Sequence, residues 1–362
     1  MRGADITQEE LFSYRTLEAR IPKKHPLRQL RKVVDLLLAT LNDEFDALYA
    51  RRGRDAIPPE RLLRASLLQV LFSIRSERPL VDHIDFNLLY RWFVGLTMDD
   101  AVWDHSTFSA NRDRLLNERI SRWFFERVLA LAEWKKLLSD EHFSVDGTLI
   151  QAWASHKSFV KKDGSTPPPE EGGRNPTVNF KGEQRSNDTH ASRTDPEARL
   201  YKKSAGDQSQ LAFLGHALME NRNGLVVDVE VTQATGTAER EAAQAMVKRT
   251  IHKPGATLGA DKHYDTKDFV AGMRQQKVTP HVASKDTGSA IDGRTTRHDG
   301  YRKSLTIRKR IEEVFGWAKT VGPLRQTQFR GLKKVAAQTI FTFAAYNLTR
   351  MGAIFGWRYR TA

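Results

Sequence analysis

Phe143–Ile150, FSVDGTLI, reads as a short strand entering a core, and the chain changes character there. Upstream, from about Leu27 to Leu138, apolar residues recur at helical spacing: Leu30, Val33, Val34, Leu37 and Leu41, then Leu62, Leu63, Leu67, Val70 and Leu71. Pro58-Pro59 predicts a helix start, Arg78-Pro79 a break, and Ser106 an N-cap for STFSANRDRLL. Downstream, about 155–208 is a polar stretch containing GSTPPPEEGGRNP that cannot bury enough surface to fold alone, and it reads as a flexible insertion. LAFLGHALMENRNGLVVDVEVT then predicts a hairpin turning at Asn221–Gly224. AEREAAQAMVKRTI is a helix, TLGADK a strand, Thr266 to about Gln276 a helix and TPHVAS a strand. A polar loop leads to a helix over Thr306–Gly322, and an apolar helix over about Val335–Met351 closes the chain. This order predicts a mixed sheet covered by helices, an α/β fold. The expected division is a helical N-terminal domain, 1–138, and an α/β domain, 139–362, carrying the insertion.

A net charge of +14 on 362 residues points to a polyanionic partner, most often nucleic acid, with an anionic membrane surface as competitor. No run approaches the roughly 20 apolar residues of a spanning helix. MRGADITQEELF is too polar for a signal peptide, so a cytoplasmic protein is expected. With no cysteine, disulfides, zinc–thiolate sites and thiol nucleophiles are excluded. A bound metal must be held by carboxylates, which favours Mg²⁺ or Mn²⁺. Short helices with tight breaks suit a helix-turn-helix-like DNA-binding module, with Asn111, Arg112 and Arg114 on the candidate recognition helix. An all-helical scaffold or dimerisation domain is the alternative.

Three acids stand out. Asp146 lies inside an apolar strand, where a carboxylate is costly unless paired or bound to metal. Asp261 follows Leu258-Gly259-Ala260, at the carboxyl end of a strand, where sites form in α/β sheets. In TIRKRIEEVFGWAKTVG, Thr306–Gly322, the order R-x3-E-x6-K puts Glu312 about 40° and Lys319 about 20° around one helix from Arg308. Ile311, Val314, Phe315, Ala318 and Val321 fill the adjoining arc, and Glu313 turns about 100° further, towards solvent. A surface helix with an i, i+4 ion pair explains the same stripe. Two strand-borne aspartates and a helix-borne glutamate, brought together, can hold two divalent ions about 4 Å apart for phosphodiester displacement. Arg308, Arg310 and Lys319 would then face phosphates. Asp228, Asp265 and Asp268 read as structural, and His156, His263 and His298 lack metal-ligand spacing with one another.

These residues carry a resemblance. The chain resembles the IS5 group of bacterial insertion-sequence transposases, within the IS4-like set of DDE transposases, over nearly its whole length. IRSERPLVDHIDFNLLYRWFVGL and DHSTFSANRDRL look like the group's helical DNA-binding domain, and SVDGTLIQAWASHKSF like the segment bearing its first catalytic aspartate, here Asp146. GADKHYD looks like the D-x-x-Y segment, with Asp261 as second aspartate and Tyr264 as its supporting tyrosine. RKRIEEVFGWAKTVGPLRQTQFRG looks like the glutamate helix, with Glu312 in the catalytic position. The resemblance implies an RNase H-like core, Mg²⁺-dependent cleavage at terminal inverted repeats and strand transfer into target DNA. Two ions per site, a synaptic homodimer on double-stranded DNA, and no nucleotide cofactor or membrane go with it. One departure is Leu305, where the IS4-type signature carries a tyrosine; Tyr301 is near but out of register. A catalytically silent repressor and an RNase H-like structure-specific nuclease are the rival readings.

Overall fold

The structure, a computed structural model, describes residues 15–47, 56–115, 117–163, 186–202 and 208–357, without the side chains of 112–115. The N-terminal half is helical among these residues: α1 Leu17–Arg20, α2 Pro26–Ala39, α3 Asn42–Asp46, α4 Pro59–Leu71, α5 Glu77–Phe86, α6 Leu88–Val94, α7 His105–Leu115 and α8 Glu118–Trp134. Pro59 occupies the first position of α4, where its missing N–H costs nothing. The break expected at Arg78-Pro79 lies upstream instead. Ser76 precedes α5, and Pro79 sits in the first turn, which tolerates it. Asp104, not Ser106, caps α7: its Oδ1 accepts from the Ser106 backbone N–H at 2.8 Å and from the Ser106 hydroxyl at 2.5 Å. Asp104 directly precedes α7, so its carboxylate reaches the N–H of the helix's second residue.

The second half alternates. Strands β1 His142–Gln151, β2 Phe159–Lys161, β3 His190–Ser192, β4 Arg199–Tyr201, β5 Gln210–Glu220 and β6 Val226–Gln233 precede α9 Ala238–Thr250. Then come β7 Thr257–Ala260, α10 Lys267–Gln275, β8 Thr279–Val282, α11 Gly293–Thr296, α12 Asp299–Ile307, α13 Arg310–Thr320 and α14 Leu332–Ile354. The main sheet runs β6-β5-β1-β7-β8: β1 is antiparallel to β5, β5 antiparallel to β6, and β1, β7 and β8 are parallel. An antiparallel three-strand meander followed by two parallel strands is the RNase H-like order. Glu220 closes the hairpin turn, its buried carboxylate accepting from the backbone N–H groups of Arg222, Asn223 and Leu225.

Parts of the stretch read as an insertion are ordered. β2 and β3 form a small hairpin, and β4 pairs with the start of β5 beyond the end of β6. Residues 164–185 and 203–207 lie outside the described residues.

Alternation along β1 assigns its two faces. Phe143 and Val145 join Leu218 and residues of α9, α10 and α12 in one core. Ala217 and Met219, across from Asp146 and Ser144, join α13, α14 and the N-terminal helices in another. α14 is buried nearly all round because the sheet covers one side and α8 the other, with Phe124 and Phe341 rings 5.4 Å apart. Its Thr339 and Thr342 hydroxyls donate to carbonyls four residues back, so no polar group is orphaned there. Helical half and sheet thus share one hydrophobic core across residue 138. No helix among the described residues is long and apolar enough to cross a membrane.

Candidate active site

Strand pairing aligns the two expected aspartates. β1 and β7 pair in parallel with His142, Phe143 and Ser144 opposite Thr257, Leu258 and Gly259. Continued by two residues, that register aligns Asp146 with Asp261, which directly follows the carboxyl end of β7, and both carboxylates act on the Tyr264 hydroxyl. Gly259 shows which face they use: a Cβ there would lie 3.4 Å from the Ser144 hydroxyl and 3.2 Å from Arg308 Cβ. Asp146 and Asp261, each two residues on, take that same α13 side. Asp146 Oδ1 accepts from the Gly147 N–H and Asp261 Oδ1 from the His263 N–H, both at 2.8 Å, so each carboxylate is held by backbone. Both acids are half-buried.

Glu312 lies on α13, a helix that packs against β1. Thr306–Gly322 is not one helix: α12 ends at Ile307, α13 starts at Arg310, and three-residue hydrogen bonds Ile311→Arg308 and Glu312→Lys309 bridge the junction. All residues there stay right-handed, so the helical wheel shifts phase without a visible break in the sequence. Glu312 and Lys319 share α13, but Arg308 belongs to the junction, packed over Gly259 with its Nε buried and without a hydrogen-bond partner. Glu312, Glu313 and Arg310 are exposed, while Arg308 and Lys319 are half-buried. Ile311, Val314, Phe315 and Ala318 are buried as the arc predicts, with Val321 half-buried beyond the helix. Among the described residues no three acid or histidine side chains stand together as a metal cage. Strand register therefore aligns Asp146 with Asp261, and Glu312 lies exposed on α13, four residues after the Arg308 that packs over Gly259.

Tyr264 is fully buried, one turn past Asp261, with no hydrogen-bond partner for its hydroxyl. Burial first, then the Glu239, Asp146 and Asp261 carboxylates, push its hydroxyl well above the ordinary tyrosine range. Glu239 was not singled out by the sequence. It packs on the face of β1 opposite Asp146, where Gly147 has no side chain: a Cβ there would lie 2.7 Å from Glu239 Oε1 and 3.1 Å from His216 Nδ1. Arg240 ties the same turn of α9 to the His263 carbonyl. Nothing local in AEREAA marks this glutamate; only the glycine notch across the sheet does.

Gly147→Ala should therefore cost about 1–2 kcal/mol by overpacking. Thermal unfolding of Gly147→Ala, Glu239→Ala and the double variant checks it, with the double less destabilised than the sum. An additive double would remove Glu239 from the notch.

His216, opposite Gly147, donates or accepts through Nε2 with the Thr232 hydroxyl at 2.8 Å, and burial pushes its pKa down to about 3. The folded state holds it neutral, while the unfolded chain takes up a proton near pH 6.5. Stability is full above that value and falls with pH down to about 3, by about 2 kcal/mol at pH 5. Urea midpoints at pH 7 and pH 5 measure the loss, and His216→Asn should reduce it.

The remaining candidates are placed as follows. Asp228 is buried and paired with Arg122 and Arg249, and Asp265 accepts from the Lys285 and Ala290 N–H groups, so both are structural. Tyr301 donates to the Val282 carbonyl, and Leu305 packs into the core around Tyr264, on the other side of the sheet from α13. Asn111 donates to the Thr107 carbonyl within α7; the side chains of Arg112 and Arg114 lie outside the described residues.

The donor chemistry suits a hard divalent cation. Asp146 in the middle of β1 and Asp261 just past the end of β7 offer carboxylate oxygens from adjacent strands, Asp261 and Glu312 form no ion pair among the described residues, and Tyr264 has a buried hydroxyl near both aspartates.

The family described as Transposase domain (DUF772) matches residues 15–114, and the family described as Transposase DDE domain matches residues 138–348. No curated protein matches the chain. Among solved structures, a piggyBac transposase synaptic complex with hairpin DNA is 8% identical, covering 93% of this chain and 77% of that one at a TM-score of 0.45. A Mos1 transposase paired-end complex with the left transposon end is 8% identical, covering 92% and 98% at a TM-score of 0.20. At such scores neither likeness bears on the fold. The second family match spans more than half of the chain, including Asp146, Asp261 and Glu312, and the chain belongs to the DDE transposases.

Proposed function

We propose that this transposase, of the IS5 group, binds the terminal inverted repeats of its own element, cuts there and joins the freed ends to target DNA. The register of β1 on β7 supports the reading, because continuing it aligns two carboxylates on neighbouring strands in a chain that belongs to this family. Asp146, Asp261 and Glu312 would hold the metal, Glu312 from an exposed side chain with three rotatable bonds. When bound, two Mg²⁺ or Mn²⁺ ions polarise the scissile phosphate and activate the attacking oxygen. Tyr264 supports the acids from below. Arg308, Arg310 and Lys319 hold phosphates on the α13 side. Residues 1–138 bind the ends, with α7 and its Asn111, Arg112 and Arg114 in the major groove. Two ends cut together call for a homodimer acting in the cytoplasm.

The test uses duplexes carrying the inverted repeats that flank the gene, incubated with protein and Mg²⁺. Nicking at the repeat boundary is expected. Binding without nicking would make the chain a silent repressor, and cutting indifferent to the repeat would make it a structure-specific nuclease.

A further inference from the structure

A cleft of about 1230 Å³ lies between the two halves of the molecule. One wall comes from α4, the 73–77 turn and the start of α8; the other comes from the end of α13, the loop 321–329 and the start of α14. It exceeds the roughly 300–1,000 Å³ of a small-molecule pocket. Its lining carries seven cations against two acids, Glu77 and Glu118. Arg122 among the cations is already paired with Asp228. Arg75, Arg119, Arg325 and Lys333 are exposed and form no ion pair among the described residues, although Arg119 lies over the Trp123 ring. Such a set of uncompensated cations is a polyanion site. Apolar Val70, Ile74 and Phe341 line the cleft too, as a sugar face would need.

The cleft continues the active site. Lys319 lines it, and Lys319 stands seven residues from Glu312 on the same helix, about 10 Å along the axis. At about 3.4 Å per nucleotide of one strand, that is about three nucleotides. We propose that this cleft seats the sugar–phosphate backbone of the DNA strand flanking the cleavage point, beginning about three nucleotides from the scissile phosphate. The inference rests on the proposed transposase reading and adds a binding surface to it. The helical half then does more than recognise ends: it forms one wall of the track that feeds the catalytic face.

The experiment measures the affinity of full-length protein for a labelled duplex of arbitrary sequence over a range of KCl concentrations. Each lost phosphate contact lowers the slope of log affinity against log salt by about 0.9. The triple variant Arg119→Ala, Arg325→Ala, Lys333→Ala should lose between 2 and 3 from that slope, at about 0.9 per contact. Lys248→Ala, Lys267→Ala, Lys303→Ala removes the same charge from exposed positions on α9, α10 and α12, across the sheet, and should lose much less. Arg119→Lys with Arg325→Lys keeps the charge and should keep the slope, which separates a lost contact from a damaged fold. Equal losses in both triples, or none in the cleft triple, overturn the cleft while leaving cleavage untouched. Failure of the wild type to bind duplex at low salt overturns the transposase reading as well.

Discussion

Asp146→Asn, Asp261→Asn and Glu312→Gln each abolish Mg²⁺-dependent cleavage of an element-end duplex while leaving binding to it largely intact. The loss should exceed about 100-fold, the upper end of what removing a mere supporting partner of a metal ligand costs. Each replacement keeps size and shape and removes only the charge, so folding is not at stake. For the aspartates the thermal midpoint should hold or rise, because two carboxylates in register repel one another when no cation lies between them. Glu239→Gln is the decisive comparison. Glu239 lies against Gly147, on the face of β1 opposite the one Asp146 uses, whereas Glu312 lies exposed on α13, on the same side of the sheet as Asp146. A loss within about 100-fold for Glu239→Gln keeps it as a supporting partner. If Glu239→Gln abolishes cleavage and Glu312→Gln does not, the third ligand is Glu239. Single-turnover cleavage rates over a Mg²⁺ titration read all four.

Asn347→Leu should lower stability by about 2–5 kcal/mol, the largest effect expected away from the acids. Asn347 is fully buried on α14, and its amide accepts from the Val226 N–H at 2.9 Å and donates to the Val226 carbonyl at 2.8 Å. One side chain thus plays the part of a neighbouring strand where β6 begins, against the helix that joins both halves. Leucine of similar size would leave a buried donor and a buried acceptor unsatisfied, each costing about 1–3 kcal/mol. Asn347→Asp keeps the acceptor and loses the donor, so thermal unfolding of the two variants separates lost pairing from altered packing. A shift within the error of the measurement for Asn347→Leu would show that water reaches Val226.

Much of the fold could be read from periodicity. The strands of FSVDGTLI and LAFLGHALMENRNGLVVDVEVT and the helices after them fall where the pattern puts them, because both faces of the sheet are covered and local pattern agrees with global burial. Asp146 and Asp261 were legible for the same reason: a carboxylate in or at the end of an apolar strand conflicts with its surroundings. The junction at Arg308–Lys309 was not legible, since every residue there suits a helix and only the hydrogen-bonding pattern changes. Nor was the cap on α7, where Asp104 and Ser106 both have capping side chains and backbone geometry chose between them. Glu239 was invisible because its neighbour is a glycine on a strand 92 positions away, a relation no local pattern carries. The shared core across residue 138 escaped for a similar reason: a helix buried all round looks the same whether it closes one domain or joins two.

By itself, then, the sequence determined the order of elements, the mixed sheet and the two aspartates, because hydrophobic period and the cost of a buried charge act residue by residue. Only the tertiary structure decided that Asp146 and Asp261 lie in register, that Glu239 comes against Gly147, and that the helical half walls a basic cleft. Those relations depend on strand pairing and helix docking over long separations, and no spacing along the chain encodes them.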